Sequence, residues 1–295
     1  MKSIITRSIC CDIILPITNY KRFMYLLNKA SENPQWLRHS FVVVTDGLSV
    51  EDEKTMHDWY YDTRVTKPMP NVTIIKARQD TEGNISEQYA SAIVAGDNPF
   101  VYFQDEKDEL PINIDKSIYQ LYYNDDIDII MGKCETFLED RTPIEIFPMT
   151  NINGEFLYDC ETAMMLFPSY AHPLSAVMRK DVFIKEPYVQ QNKPYNEFAY
   201  YSFALRCIQN DEVGIGYMPY TIKISNRVKA HAITMGPQLR QRLIEDAKLW
   251  VEEVKHQDSR EFQEELITML ERAEITTFKE IDARVEDYMD AKYKR

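Results

Sequence analysis

The sequence predicts an α/β fold, a mostly parallel layered sheet with helices on both faces, and three observations predict it. Short apolar or β-branched runs recur with helical segments between them, the pattern of repeated strand–helix units. Some of these runs, such as Phe41-Val-Val-Val-Thr45, are apolar without alternation, which suits strands covered on both faces. The third observation is the border after Phe100-Val-Tyr-Phe103, where the chain passes directly into Asp105, Glu106, Asp108 and Glu109. The apolar side of that border cannot be a solvated loop and the acidic side cannot be core. It therefore marks the C-terminal end of a strand, the edge at which open α/β sheets hold their ligands. Carboxylates gathered there attract a hard divalent cation, which substrate phosphates commonly complete.

The elements follow in order. Ile9 to Pro16 reads as a first strand ended by proline, and Tyr20 to Ala30 as a helix with Phe23, Leu26 and Leu27 on one face. Phe41 to Thr45 is the second strand. It breaks at Asp46-Gly47, and Glu51 to Tyr61 is a helix with a capping signal from Ser49 to Asp52. Val72 to Lys76, Phe100 to Phe103 and Ile127 to Met131 are further strands, with helices at Ser86 to Val94 and Ile112 to Tyr123. From Arg141 to Ala171 the pattern loosens into a loop-rich stretch holding Pro143, Pro148 and Pro168. A strand at Ser175 to Met178, a helix at Phe198 to Gln209 and strands near Gly216 to Tyr220 follow. After Gly236-Pro237 the chain reads as three charged amphipathic helices, Gln238 to Val254, Ser259 to Ala273 and Phe278 to Lys292.

Bulk properties narrow the classes. The 295 residues suit one large α/β domain with an appendage, or two small domains. A formal charge of −13 argues against a broad phosphate-binding surface, though a local basic groove is compatible with it. No apolar run approaches the length of a membrane span, and Met1 to Ser8 lacks the apolar core of a signal peptide. The five cysteines are odd in number, without a CxxC pair, so a reducing cytoplasmic setting is expected.

Four segments taken together resemble the GT-A-fold glycosyltransferases that use nucleotide sugars, specifically glycosyltransferase family 2. Leu15-Pro16-Ile-Thr-Asn19 matches the family's Pro-x-x-Asn after the first strand. Thr45-Asp46-Gly47-Leu-Ser49 matches its Asp-Asp-Gly-Ser turn, with Thr45 in place of the first Asp. Gly83-Asn84 and Ala95-Gly96-Asp97 match a third region, and the acidic strand end with Pro111 follows at the family's distance. The likeness covers roughly residues 9 to 135 well and the remainder loosely.

The resemblance implies a GT-A domain over residues 1–236, with 1–135 as the nucleotide-sugar half and 136–236 as the acceptor half, and a helical extension over 237–295. It implies sugar transfer from a nucleoside-diphosphate sugar, UDP-linked, to an acceptor hydroxyl, with a divalent metal, Mn or Mg, and an inverting outcome. Pro16 and Asn19 would shape the loop over the nucleoside, Asp46 would accept from a base N–H, and Arg78 would reach the base or a phosphate. Asp105 would contact the ribose or metal, and Glu106 would be the metal carboxylate, with Asp108 as the rival ligand. Lys107 stands where the family often has an acid. Glu197, before a helix in the second half, is the candidate general base, removing the acceptor's proton. His231 would lie near the metal or pyrophosphate, and His172 is a candidate acceptor contact.

Two other classes fit parts of the pattern. A sugar-phosphate nucleotidyltransferase shares the sheet and the metal, but its glycine-rich N-terminal loop has no counterpart, since residues 1 to 30 hold no glycine. A transferase-like binding or assembly subunit without turnover is the other, suggested by Lys107 and by the missing Asp beside Glu197. The acceptor is open between saccharide and other hydroxylated molecules. A modified nucleic acid would require Arg179, Lys180, Arg206, Lys223, Arg227 and Lys229 to form one basic face. The C-terminal helices are a candidate surface for self-association.

Overall fold

Strands β1 (Cys11–Ile17) and β2 (Ser40–Thr45) are buried along almost every residue, as their unbroken apolar runs require. They form the centre of the computed structural model, which describes residues 9–77, 85–111, 113–137, 143–147, 175–188, 199–226, 234–255 and 257–293. The chain divides into two compact units. The first comprises Met1–Met131, Ala176–Lys185 and Gly214–Gly216, and the second comprises Gly132–Ser175, Glu186–Val213 and Tyr217–Arg295.

The first unit alternates strand and helix: β1, α1 (Tyr20–Ser31), β2, α2 (Val50–Thr66), β3 (Asn71–Lys76), α3 (Ile85–Ala95), β4 (Phe100–Phe103) and α4 (Ile114–Tyr123). β5 (Ile129–Phe137), β7 (Ala176–Arg179) and the short α5 (Val182–Lys185) complete its elements. Its strand order is β3-β2-β1-β4-β7-β5. The first four strands are parallel, with Ile14 beside Val42 and Phe103. β7 is antiparallel to both β4 and β5. The expected layered α/β sheet is therefore present, with its parallel part confined to β1–β4.

The second unit receives the far half of β5, which pairs antiparallel with β6 (Pro143–Phe147). β6 falls inside the stretch expected to be loop. It is five residues long and begins on a proline, a position where the missing N–H is tolerated and the strand signal is weak. The unit also holds most of β8 (Ile215–Asn226), α6 (Ala199–Ile208), and the three helices α7 (Pro237–Glu253), α8 (Gln257–Glu271) and α9 (Phe278–Tyr293). Leu243, Trp250, Leu266, Leu270, Ile281 and Val285 are among its buried apolar positions in the helices. A reciprocal cap starts α9: Thr277 Oγ1 accepts from Glu280 N at 3.2 Å, and Glu280 Oε2 accepts from Thr277 N at 2.9 Å.

A buried histidine links β1 to α4. Cys11 N donates to His39 Nδ1 at 3.2 Å, which requires that nitrogen to be unprotonated. His39 Nε2 lies 3.3 Å from Asp115 Oδ1, and Arg38 pairs with the other carboxylate oxygen. Burial pushes His39 down to about 4, with Arg38 acting in the same direction and Asp115 against it. The unfolded chain takes up this proton below about 6.5 and the native state does not until about 4, so stability should fall as pH drops through that window. The loss should reach at most about 3 kcal/mol. Denaturant unfolding at pH 7, 5.5 and 4.5 should show this slope, and His39→Gln should flatten it; an unchanged slope would contradict the assignment.

Candidate functional site

The order β2-β1-β4 makes the gap between β1 and β4 the topological switch point of the sheet, because the chain leaves β1 toward β2 and β3 and returns on its other side. Ladder bonding between β1 and β4 ends with Gln104 N donating to Ile14 O at 2.8 Å. β1 runs three residues further, alongside β2, to Ile17 opposite Thr45. Pro16 thus stands past the last β4 partner, where its missing N–H breaks no bond to that strand. The turns after β1, β2 and β4 all open on this carboxyl edge.

The turn after β4 is braced from within. Gln104 is fully buried, and its Nε2 donates to Asp105 O at 2.8 Å and to Glu109 O at 3.2 Å. Asp105 Oδ1 accepts from Lys107 N at 2.8 Å, the local bond that short acidic side chains make at turns. Asp105 is half-buried, Lys107 is exposed and Asp108 is buried. Glu106 turns toward the β1–α1 connection. Its Oε2 accepts from Thr18 N at 2.9 Å and Asn19 N at 3.2 Å, and its Oε1 from Thr18 Oγ1 at 2.6 Å. Arg22 Nε donates to Glu106 O at 2.7 Å. Asn19 itself caps α1, with its Oδ1 accepting from Lys21 N at 3.0 Å.

The turn after β2 holds Asp46. Its N–H donates to Ile17 O at 3.0 Å, tying it to the end of β1, and its Oδ2 accepts from Gln88 Nε2 of α3 at 2.6 Å. Gly47 follows with φ of 64°, the left-handed conformation that glycine adopts without strain. Ser49 then caps α2, its Oγ accepting from Asp52 N at 3.1 Å, as the sequence pattern predicts. Thr45, which replaces an acid of the resembled motif, has its hydroxyl 3.1 Å from Glu53 Oε1, and Glu53 also pairs with Lys76 at 3.1 Å. Beneath this edge the rings of Tyr89, next to Gln88 on α3, and Phe103 meet edge to face at 4.7 Å.

Ala95-Gly96-Asp97 does something else. It precedes β4, so it lies away from the carboxyl edge, and Gly96 faces the buried carboxylate of Asp12 on β1. Asp12 Oδ2 accepts from Asn98 N at 2.9 Å and Oδ1 from Asn98 Nδ2 at 2.7 Å. Burial raises the Asp12 pKa and the bonds from Asn98 oppose that rise. This part of the motif is a packing requirement.

Of the residues singled out from sequence, the structure brings Pro16, Asn19, Asp46, Asp105, Glu106 and Asp108 to the carboxyl edge or its turns, and bonds Asn19 directly to Glu106. Arg78, Glu197, His231 and His172 lie outside the described residues. Among the described residues, no group of three or more His, Cys, Asp or Glu side chains is arranged to hold a cation. Of the basic residues that a nucleic-acid acceptor would require, Arg227 and Lys229 lie outside the described residues and the others are engaged or buried. In the first unit, Arg179 donates to the carbonyls of Ile127 at 2.8 Å and Asn124 at 2.9 Å, and Lys180 to that of Gly96. In the second, Arg206 pairs with Glu186 at 2.7 Å and Lys223 is buried. Sequence reasoning missed Thr18, Gln88 and Glu53. Thr18 was within reach, since it lies inside the Pro-x-x-Asn segment. Gln88 and Glu53 carry no signal beyond being polar residues near helix starts.

No protein-family model matches the sequence, and a search of curated proteins finds no match. Solved structures do match in fold. Residues 1–349 of S. aureus TarS in complex with UDP-GlcNAc give a TM-score of 0.57 at 12% identity, over 86% of this chain and 70% of that one. The same TarS fragment in complex with UDP gives 0.57 at 11% identity, covering 69% of that chain, and the longer TarS structure is covered over 42%. The mannosyltransferase PcManGT from Pyrobaculum calidifontis, in complex with GDP-Man and Mn2+, gives 0.50 at 10% identity, over 82% of this chain and 62% of that one.

Proposed function

We propose that this chain, whose fold is that of the GT-A nucleotide-sugar glycosyltransferases, transfers a sugar from a nucleoside-diphosphate sugar, UDP-linked, to an acceptor hydroxyl. The observation that carries the reading is the gathering of Asp46, the Pro16–Asn19 segment and the Asp105 turn on one carboxyl edge at the switch point. Structural neighbours in complex with UDP, UDP-GlcNAc and GDP-Man support it.

Each residue has a role that its chemistry suits. Asp46 is an acceptor-only carboxylate, suited to a base N–H, and Gln88 holds one of its oxygens in place. Asp105 offers its carboxylate to the ribose hydroxyls or to a divalent cation. Asp105 and Asp108 are the acids of the turn proposed to hold such a cation, while both oxygens of Glu106 accept hydrogen bonds from Thr18 and Asn19. When bound, Mn or Mg offsets the charge that develops on the leaving diphosphate. In the second half, Glu197 takes the acceptor hydroxyl's proton as that oxygen bonds to the anomeric carbon and the nucleoside diphosphate departs with the bonding pair, an inverting displacement. His231 and Arg78 assist at the phosphates. No helix among the described residues is long and apolar enough to cross a membrane.

The test is nucleotide release from UDP-GlcNAc, UDP-glucose and GDP-mannose with Mn2+ and a panel of hydroxylated acceptors. Release from one nucleotide class, lost in Asp105→Ala while the melting temperature holds, is expected. Absence of release from all three by a protein that binds the diphosphate would point to a binding subunit instead.

A further inference from the structure

We infer that Glu106 is a positioning residue that fastens the acidic turn to the start of α1, and that it is not a metal ligand. The inference deepens the sugar-donor site proposed above and rests on it for its functional arm.

The argument starts from what a helix start requires. The first N–H groups of an α-helix and its cap need outside acceptors. In a reciprocal cap, the residue three after the cap is Glu or Gln and reaches back to the cap's own N–H. The chain does this at α9 with Thr277 and Glu280. At α1 the cap is Asn19 and the residue three later is Arg22, which has no acceptor to offer; the first turn holds no acid at all. The missing carboxylate arrives from 87 residues away: Glu106 Oε2 takes the Asn19 N–H, as Glu280 takes the Thr277 N–H. Arg22, displaced from the capping role by its chemistry, donates instead to the carbonyl of Glu106.

Four hydrogen bonds thus join one residue of the turn to three residues of the other segment, Thr18, Asn19 and Arg22. The carboxylate sits at the positive end of α1, which adds a favourable interaction with the helix dipole. Three of its roughly four acceptor positions are filled by donors of this chain. A cation there would find one acceptor position left, on Oε1, and a bidentate hold would have to displace bonds that shape the nucleoside loop. The consequence is that the loops carrying Asn19 and Asp105 move as one body, which lowers the ordering cost of binding a nucleotide across them.

Conservative replacement separates the roles. Glutamine at 106 retains a carbonyl oxygen for the two N–H groups and an amide that can donate to the Thr18 hydroxyl, but it is a poor ligand for a hard cation. The experiment compares wild type, Glu106→Gln, Glu106→Ala and Thr18→Ala by hydrogen exchange at the Thr18 and Asn19 amides. The same set is then titrated with UDP at saturating Mn2+, and with Mn2+ at fixed UDP. Exchange at both amides should quicken in Glu106→Ala and stay near wild type in Glu106→Gln. UDP affinity should fall about tenfold in Glu106→Ala and by less than about threefold in Glu106→Gln, with the Mn2+ midpoint of Glu106→Gln unchanged. Thr18→Ala should weaken UDP binding and add little on top of Glu106→Ala. A Glu106→Gln variant as defective as alanine, with its Mn2+ midpoint raised about tenfold or more, would overturn the inference, as would unchanged amide exchange in Glu106→Ala. If wild type binds no nucleoside diphosphate, the functional reading fails while the exchange arm still decides whether the clasp exists.

Discussion

Gly96→Ala should lower the stability of the chain by about 1–3 kcal/mol, a large effect for one methyl group. A Cβ at this position would overlap Asp12 Oδ2 and stand 2.7 Å from Asp12 Cγ. Two responses are open, and both are costly. If the backbone gives way, β4 shifts against β1, an overpacking cost of about 1–3 kcal/mol. If Asp12 swings aside, a carboxylate with 1% exposure loses its bonds from Asn98 at 2.9 and 2.7 Å and stays buried without them. The Lys180 ammonium, which bonds to Gly96 O, would be disturbed in either case. Denaturant unfolding measures the loss. Because the cost lies in one contact, removing the obstacle should return part of it: Asp12→Ala with Gly96→Ala should lose clearly less than the sum of the two single changes. Additivity to within about 0.5 kcal/mol would show that the contact is not the cause. UDP affinity of the folded Gly96→Ala fraction should stay near wild type, since the glycine lies away from the carboxyl edge.

Asp46→Ala should have the largest functional effect, weakening binding of the nucleoside diphosphate roughly ten- to a hundredfold while leaving the fold intact. A charge-assisted hydrogen bond is worth about 1.5–3 kcal/mol, which converts to that range. The carboxylate is almost wholly buried and held by Gln88 at 2.6 Å, so it meets a base without first being ordered. Gln88→Ala should reproduce part of the loss, because it releases the carboxylate without removing it. Isothermal titration with UDP and uridine separates the cases. Both ligands should weaken in parallel if Asp46 reads the base. Loss confined to UDP would move Asp46 from the base to the phosphates.

Much of this architecture was legible because its causes are local. The runs in β1 and β2 are apolar throughout since both faces of a central strand are covered, and Asp46-Gly47 breaks β2 because a turn there needs positive φ. Ser49 to Asp52 predicts a helix start that the structure contains. What was not legible is long-range. β7 pairs antiparallel with β4, and no property of Ser175 to Met178 states a direction. β6 hides behind the proline that opens it. At the site, Glu106 is an acid among acids until Thr18, Asn19 and Arg22 are seen around it, 84 to 88 residues away in sequence. Gly96 conforms to a motif suggestive of the active site, yet its reason is the side chain of Asp12, invisible without the β1–β4 register.

The measurement that tests the central claim most directly is thermal unfolding of wild type and Asp46→Ala with UDP, GDP, CDP and TDP, each with and without Mn2+. A ligand that binds only the native state at a hundred times its Kd adds about 2.7 kcal/mol, enough to raise the melting temperature by a few degrees. Stabilisation of the wild type by one diphosphate, UDP above the others, and its loss in Asp46→Ala, is the result predicted. An equal response to all four, or none to any, would contradict a nucleotide-sugar site at the carboxyl ends of β1, β2 and β4.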